Sequence, residues 1–199
     1  TGYVMSGQVT SLYTLSIPNY QLVVNMAGEL VETSVDNGDG TFTYDVPVRE
    51  GYTWSDGSPI TANDWEFTFD TVKSLSLGGN FLSSYPYSCE DEEGTAKNCV
   101  VSVVATDDYT VSITFNYDPG LSTWQYGTAQ GIAFSKAYWE QYATDKETLY
   151  AHDATNAPVA SAFVYDKLEQ GAFYTWKYDA NTMWYGGTTT IYDGGGTGI

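Results

Sequence analysis

The chain has 199 residues, 42% of them apolar, which is enough for one substantial domain or two small ones with a packed core. It carries 7 Lys and Arg against 25 Asp and Glu, a formal net charge of −18, so it would repel nucleic-acid phosphates and anionic lipid headgroups. This charge fits a highly soluble protein, or one that attracts cationic partners. No segment approaches the roughly 18 apolar residues of a membrane span.

The first elements predicted along the chain are a strand, a loop and a helix. Residues 1–9 alternate as in a β-strand, and residues 10–20 (TSLYTLSIPNY) are predicted to form a loop. A helix is predicted over residues 18–32, because Pro18 suits a first helical turn. The apolar residues of this segment recur close to helical spacing: Leu22, Val23, Met26 and Leu30.

A strand and a capped helix follow. After the Asp/Gly turn at residues 36–41, the strand has one apolar face, made of Phe42, Tyr44, Val46 and Val48. Thr61 and Asp64 have the spacing of a capping box, so a helix should begin near Thr61. Its buried stripe is predicted at the i, i+4 and i+7 positions Trp65, Phe69 and Val72.

The second half predicts an antiparallel hairpin, two short helices and two more strands. In the hairpin, residues 100–117, Val101 and Val103 are expected on one face, and so are three residues after the turn: Val111, Ile113 and Phe115. The helices are expected within 135–143 and 145–151, and the strands within 160–178. The predicted class is α+β, with mixed but largely antiparallel sheets and short helices.

Cys89 and Cys99 are the only cysteines, and a polar, acidic loop separates them. As a metal pair they would need another soft ligand, and the sole histidine, His152, is far away in sequence. Two free thiols remain the alternative to a disulfide. We predict the disulfide, which would stabilise the fold by about 3 kcal/mol and would indicate an oxidising compartment outside the cytoplasm.

The sequence does not predict an enzyme. His152 and Asp153 could form an acid–base pair, but adjacent residues generally point apart. The sequence contains no GxSxG, HExxH or P-loop motif. With one histidine and no thiol cluster, neither a metal site nor a cofactor is predicted.

Residues 28–72 carry a long motif of turn glycines, acidic residues and aromatics. This stretch (GELVETSVDNGDGTFTYDVPVREGYTWSDGSPITANDWEFTFDTV) resembles LAESWEV followed by DGxTYTFxLRxGVKFxDGxPxTAxDVxFSxxR, the pattern of the family-5 solute-binding proteins of ABC transporters. The matching residues are Asp39, Gly40, Thr43, Tyr44, Val48, Arg49, Gly51, Trp54, Asp56, Gly57, Pro59, Thr61, Ala62, Asp64 and Phe67. Later segments, including VSVVATDDYTVSITFNY and FSKAYWEQY, are similar to the family as well.

The resemblance implies part of a two-lobed periplasmic-binding-protein-like fold. Members of the family are longer, so residues 1–199 are expected to be the N-terminal portion, the first lobe, with the second lobe absent from this chain. The implied function is extracytoplasmic capture of a peptide or similar small polar solute, in the periplasm or at the cell surface, with delivery to an ABC transporter permease. An extracellular structural or adhesive protein, such as a surface-layer or filament subunit built on the same module, is the alternative.

The ligand site is predicted in the loop after the first strand, which the resemblance places at the edge of the cleft. Tyr13 and Tyr20 would supply an aromatic wall, and Asn19 would supply a polar anchor. The alternative is that these tyrosines only cover the adjacent sheet.

Overall fold

All strand pairs among the described residues are antiparallel, and the helices are short. The computed structural model describes residues 9–16, 19–161, 163–169 and 172–178. The strands are β1 Thr10–Ser11, β2 Tyr13–Leu15, β3 Leu22–Val24, β4 Val35–Asp36, β5 Phe42–Pro47, β6 Val100–Asp107, β7 Thr110–Phe115, β8 Ile132–Ala133, β9 Phe163–Glu169 and β10 Phe173–Tyr178. The helices are α1 Ala62–Ser74, α2 Asn80–Ser84, α3 Gly120–Tyr126, α4 Lys136–Trp139 and α5 Lys146–Ala151. The predicted α+β class is confirmed.

The main sheet has four strands in the order β4-β5-β7-β6. Its inner face carries the predicted apolar alternation of β5 and β7, with Tyr44, Val46, Val111, Ile113 and Phe115 all buried. The outer face is polar, and the hydroxyls of Thr43 and Thr114 lie 3.0 Å apart across it. Helix α1 packs against β6 and β7, so the core lies between this helix and the sheet.

The predicted face of β6 is wrong in one position. Val103 is buried, whereas Val101 is 37% exposed and Val100 is buried instead. The register of β6 on β7 shifts between Val100 and Ser102. An extra residue at such a bulge interrupts the alternation, so side chains three positions apart can face the same side.

The first 30 residues differ most from the prediction. The predicted loop at residues 10–20 contains two strands: β1 pairs with β8, and β2 pairs with β3. The predicted helix over 18–32 is also wrong, because Leu22–Val24 is strand β3 and Gly28 N donates to Pro47 O at 2.7 Å. Long-range backbone hydrogen bonds and adjacent valines therefore outweigh the helical spacing of a short segment. Most of the predicted strand over 1–9, and Pro18, lie outside the described residues.

The remaining predicted elements are present. Helices α4 and α5 and strands β9 and β10 lie within their predicted segments. Cys89 and Cys99 form the predicted disulfide, with their Cα atoms 5.1 Å apart. The enclosed loop is closed further by Lys97 N, which donates to Cys89 O at 2.8 Å. In the part of the chain that the structure describes, no helix is both long and apolar enough to cross a bilayer.

Helix α1 begins where the sequence predicts, and Asp64 holds its first turn. The Asp64 carboxylate accepts hydrogen bonds from Thr61 N at 3.0 Å, Trp54 Nε1 at 3.2 Å and Lys136 N at 2.8 Å. Asp64 is 3% exposed, and this burial raises its pKa to about 6 despite the three donors. One carboxylate thus joins the helix to the loop before it and to the start of α4.

Two more side chains of α1 bind the segment that leads into α4. The Thr68 hydroxyl donates to Asp64 O at 2.7 Å and accepts from Phe134 N at 3.0 Å. The Trp65 indole donates to Gly131 O at 3.3 Å. Residues 131–136 are therefore held along one side of the helix by hydrogen bonds as well as by packing.

The first prediction concerns the buried stripe of α1, where Trp65, Phe69 and Val72 are each at most 1% exposed. Phe69→Ala should lower the free energy of unfolding by about 3–5 kcal/mol, because it leaves a cavity beside Tyr85. Phe67→Ala, on the half-exposed side of the same helix, is the matched control and should have a clearly smaller effect. Urea denaturation measures both, and equal effects would contradict the assigned face.

The second prediction concerns the buried carboxylate of α1. Between its ordinary pKa of 3.8 and its folded pKa of about 6, Asp64 holds a proton in the folded protein that it has released in the unfolded chain. The free energy of unfolding should therefore fall as the pH rises through this range, by roughly 3 kcal/mol for a shift of about two units.

The variant Asp64→Asn isolates this effect, because all other titrating groups remain. The free energy of unfolding of the wild type minus that of the variant should decrease as the pH rises from 4 to 7. Urea titrations at fixed ionic strength measure this difference. A difference that is constant, or that grows with pH, would contradict a raised pKa.

Candidate functional site

The β2–β3 hairpin carries two of the three predicted ligand residues at its tip. The turn is closed by Tyr20 N, which donates to Ser16 O at 2.8 Å, and by Ser16 N, which donates to Gln21 O at 2.9 Å. Tyr20 has a φ of 54° and is 65% exposed. A positive φ in a tyrosine is uncommon, and this turn holds the side chain away from the sheet.

Tyr13 has a different environment from Tyr20. It is fully buried, and its hydroxyl donates to Glu29 O at 2.9 Å and accepts from Val31 N at 3.1 Å. Its ring lies edge-on to Trp124, with centroids 6.1 Å apart. Burial raises the pKa of Tyr13 to about 12. Tyr13 therefore packs beneath the hairpin and holds residues 29–31 by hydrogen bonds.

Trp124 on α3 connects the hairpin to the main sheet. Its ring stacks on Tyr44, with centroids 3.7 Å apart and an interplanar angle of 8°, and its Nε1 donates to Val31 O at 2.8 Å. Tyr44 lies on the inner face of β5, so the three rings of Tyr13, Trp124 and Tyr44 form a continuous buried group. The position of the hairpin thus depends on the packing of the sheet.

Gln125 fixes the hairpin tip to the end of α3. Its side chain, 8% exposed, donates from Nε2 to Tyr20 O at 2.8 Å. Gln130 in turn donates from Nε2 to Gln125 O at 2.8 Å. Tyr126, the residue after Gln125, is 55% exposed. We call the exposed residues Asn19 and Tyr20, with Gln125 beneath Tyr20, the hairpin-tip surface.

The hairpin-tip surface is uncharged, and most of its amides are already paired. Asn19 donates from Nδ2 to Gln21 Oε1 at 2.8 Å, and its Oδ1 accepts from the Ser16 hydroxyl. By contrast, the Tyr20 side chain has no hydrogen bond or ring contact with any described residue. Tyr20 can therefore offer a ring face and a hydroxyl, while Asn19 and Gln125 keep the turn in shape.

The structure brings together two of the three predicted ligand residues and adds others that the sequence analysis missed. Asn19 and Tyr20 are at the tip, and Tyr13 is beneath it. Trp124, Gln125 and Tyr126 were not singled out, because α3 had no clear periodic pattern. Only the Trp-Gln-Tyr run within GLSTWQYG could have drawn attention to that helix.

His152 and Asp153 have separate partners. The His152 Nε2 lies 2.9 Å from the Tyr138 hydroxyl, and its ring stacks on Tyr142 at 3.6 Å. Asp153 accepts instead from Thr155 N at 3.0 Å, as the cap of the next turn. No group of three or more His, Cys, Asp or Glu side chains is arranged to hold a metal ion within the described ranges.

Comparison with sequences of known proteins identifies one family and two relatives. The family described as bacterial extracellular solute-binding proteins, family 5 Middle, matches residues 25–194. The oligopeptide-binding protein OppA of Bacillus subtilis is 33% identical over 93 residues, covering 43% of this chain and 16% of OppA. A probable ABC transporter-binding protein of Deinococcus radiodurans is 29% identical over 92 residues, covering 46% of this chain and 14% of that protein.

Solved structures of similar proteins share the fold at low sequence identity. The oligopeptide-binding protein AppA from Bacillus subtilis, in complex with a nonapeptide, has a TM-score of 0.63 at 15% identity, covering 90% of this chain and 32% of AppA. NikZ from Campylobacter jejuni, in complex with Ni(L-His), has a TM-score of 0.60 at 18% identity, covering 88% of this chain and 30% of NikZ. OppA of Listeria monocytogenes, bound to peptide, has a TM-score of 0.61 at 18% identity, covering 92% of this chain and 35% of that OppA.

The chain thus spans about a third of the length of these structures, between 30% and 35%. At such identities the structural likeness concerns the fold alone. The family match, in contrast, extends over most of the chain, from residue 25 to residue 194, and includes the capped helix α1 and the main sheet. The chain belongs to the bacterial extracellular solute-binding proteins of family 5.

Proposed function

We propose that this chain is the first lobe of a longer solute-binding protein, which captures a peptide or similar small polar solute outside the cytoplasm. The protein would deliver the solute to the permease of an ABC transporter in the membrane. The family match over residues 25–194 is the observation that carries the proposal. The relative named as an oligopeptide-binding protein, 33% identical over 93 residues, favours a peptide as the solute.

The hairpin-tip surface supports a role in binding. An exposed tyrosine presents contact area with few rotatable bonds, which suits recognition of a neutral peptide backbone or side chain. The backbone carbonyl of Tyr20 is held by Gln125 Nε2 at 2.8 Å. Family membership does not favour the alternative of a structural or adhesive subunit.

The two-lobed arrangement is tested by the complete reading frame of the gene. We expect a long continuation that encodes the second lobe, and a signal sequence upstream. Titration of the full-length protein with peptide pools then tests the solute class. Absence of saturable binding to any pool would contradict a peptide as the solute.

A third prediction concerns Tyr20. In the full-length protein, Tyr20→Ala should weaken binding of the best peptide from the pools by about 1–3 kcal/mol, because it removes an aromatic contact. The melting temperature should not change, since the side chain is 65% exposed. Tyr150→Ala is the matched control, because Tyr150 is equally exposed on α5. Calorimetry should show unchanged affinity for the control, and unchanged affinity for Tyr20→Ala would refute the contact.

Tyr13 needs a gentler substitution, because Tyr13→Ala would open a cavity beneath the hairpin. Tyr13→Phe keeps the ring and removes only the hydroxyl that joins Glu29 and Val31. We propose that Tyr13 acts on the solute through the hairpin it supports, or by contact in the complete protein. Lower peptide affinity at unchanged stability would indicate contact, whereas lower stability alone would indicate support only.

A further inference from the structure

A second candidate site lies between the helices α1, α2, α4 and α5. A cavity of about 290 Å³ opens there, and its wall includes Phe67, Thr71, Phe81, Phe134, Trp139 and Leu149. Two of these rings, Phe81 and Phe134, face each other with centroids 6.0 Å apart, and Trp139 lies edge-on to Phe134 at 5.8 Å. Aromatic side chains therefore line the cavity together with aliphatic and threonine side chains.

The wall of this cavity carries no charged side chain and is largely apolar. The hydroxyl of the lining residue Thr68 is already paired with Asp64 O and Phe134 N. The Trp139 Nε1 is buried and has no hydrogen-bond partner among the described residues. Apolar cavities of about half this volume, ~150 Å³, stay dry and bind molecules such as benzene. An apolar body the size of one substituted aromatic ring fits this environment.

One cationic group lies at the rim of the cavity. Lys146 is one turn before the lining residue Leu149 on α5, and its Nζ donates to Ser76 O at 3.1 Å, beside the lining residue Leu77. Within the described part of the chain, Lys146 has no carboxylate in ion-pair range, although acidic residues outnumber basic ones by 25 to 7. An ammonium group that has no ion-pair partner and lies close to an apolar wall is complementary to an amphiphile with a single negative charge.

We propose that this cavity binds a small monocarboxylate with an aromatic or alkyl body. The body lies between Phe81, Phe134 and Trp139, and the carboxylate pairs with Lys146 at the rim. The cavity and the hairpin-tip surface share no residue, so this site is separate from the proposed solute site and does not depend on the proposed function.

The test uses the full-length protein and two probes of nearly equal shape, 3-phenylpropionate and the uncharged 3-phenylpropanol. Calorimetry should show saturable binding of both, with the carboxylate bound about three- to fivefold tighter, as a partly solvated ion pair provides. Lys146→Met should abolish that difference and leave the alcohol unaffected. Lys97→Met, which removes an exposed ammonium on the disulfide loop, should change neither affinity.

Variants that fill the cavity test the apolar part of the site. Ala143→Phe should weaken both probes at least tenfold, and Thr71→Leu provides a smaller filling change if Ala143→Phe does not fold. Ala172→Phe, at an exposed position directly before β10, is the control for the added ring and should have no effect. Melting temperatures measured alongside identify variants that have lost their fold.

Several outcomes would overturn the proposal. The first is that neither probe shows saturable binding. The second is that the cavity-filling variants bind the probes as tightly as the wild type. The third is that Lys146→Met and Lys97→Met change the affinity for the carboxylate equally. Displacement of the probe by a bound peptide would place it in the peptide site and would also overturn it. Failure of peptide binding, by contrast, would affect only the proposed function.

Discussion

The buried carboxylate of Asp64 is the interaction on which the rest of the described fold depends. Placing a carboxylate in an apolar environment is unfavourable, and the raised pKa of Asp64 reflects this. Its three donors come from separate segments, at Trp54, Thr61 and Lys136. Removal of any one would leave the carboxylate partly unsatisfied, so the three segments are held in one arrangement. Helix α1 can then pack on the sheet with its apolar stripe inward.

Aromatic side chains connect the main sheet to the β2–β3 hairpin. Tyr44 on β5 stacks on Trp124, Trp124 meets Tyr13, and Tyr13 holds the segment below the hairpin. Gln125, on the same helix as Trp124, holds the hairpin tip at the carbonyl oxygen of Tyr20. A site formed by a short turn can be precise only when such packing supports it.

The fold leaves the choice of solute open. Proteins of this fold at 15–19% identity were solved with a nonapeptide, with Ni(L-His) and with mannohexaose. A core of alternating apolar residues tolerates many sequences, whereas solute choice depends on a few exposed side chains. The contacts that we propose in this chain are the uncharged residues of the hairpin tip, which would favour neutral contacts over ion pairs. The aromatic cavity beside α2 is built from a different set of residues and would select ligands by other means.

Local patterns in the sequence determined much of this fold. The capping box at Thr61, the stripe of Trp65 and Phe69, the alternation of β7 and the disulfide between Cys89 and Cys99 were all predictable, because each depends on neighbours in the sequence or on one short loop. The motif of residues 28–72 also indicated the family that the comparisons confirm.

Only the tertiary structure determined the conformation of the first 30 residues and the positions of the two candidate sites. Residues 22–24 have an acceptable helical spacing, but they form a strand because β2 offers backbone partners that no local pattern reveals. The sequence likewise could not tell that Tyr13 is buried while Tyr20 is exposed, since both occur in similar polar and apolar surroundings. That difference arises from Trp124 and Gln125, more than 100 residues away from the hairpin tip, and contacts over such separations depend on how the whole chain packs.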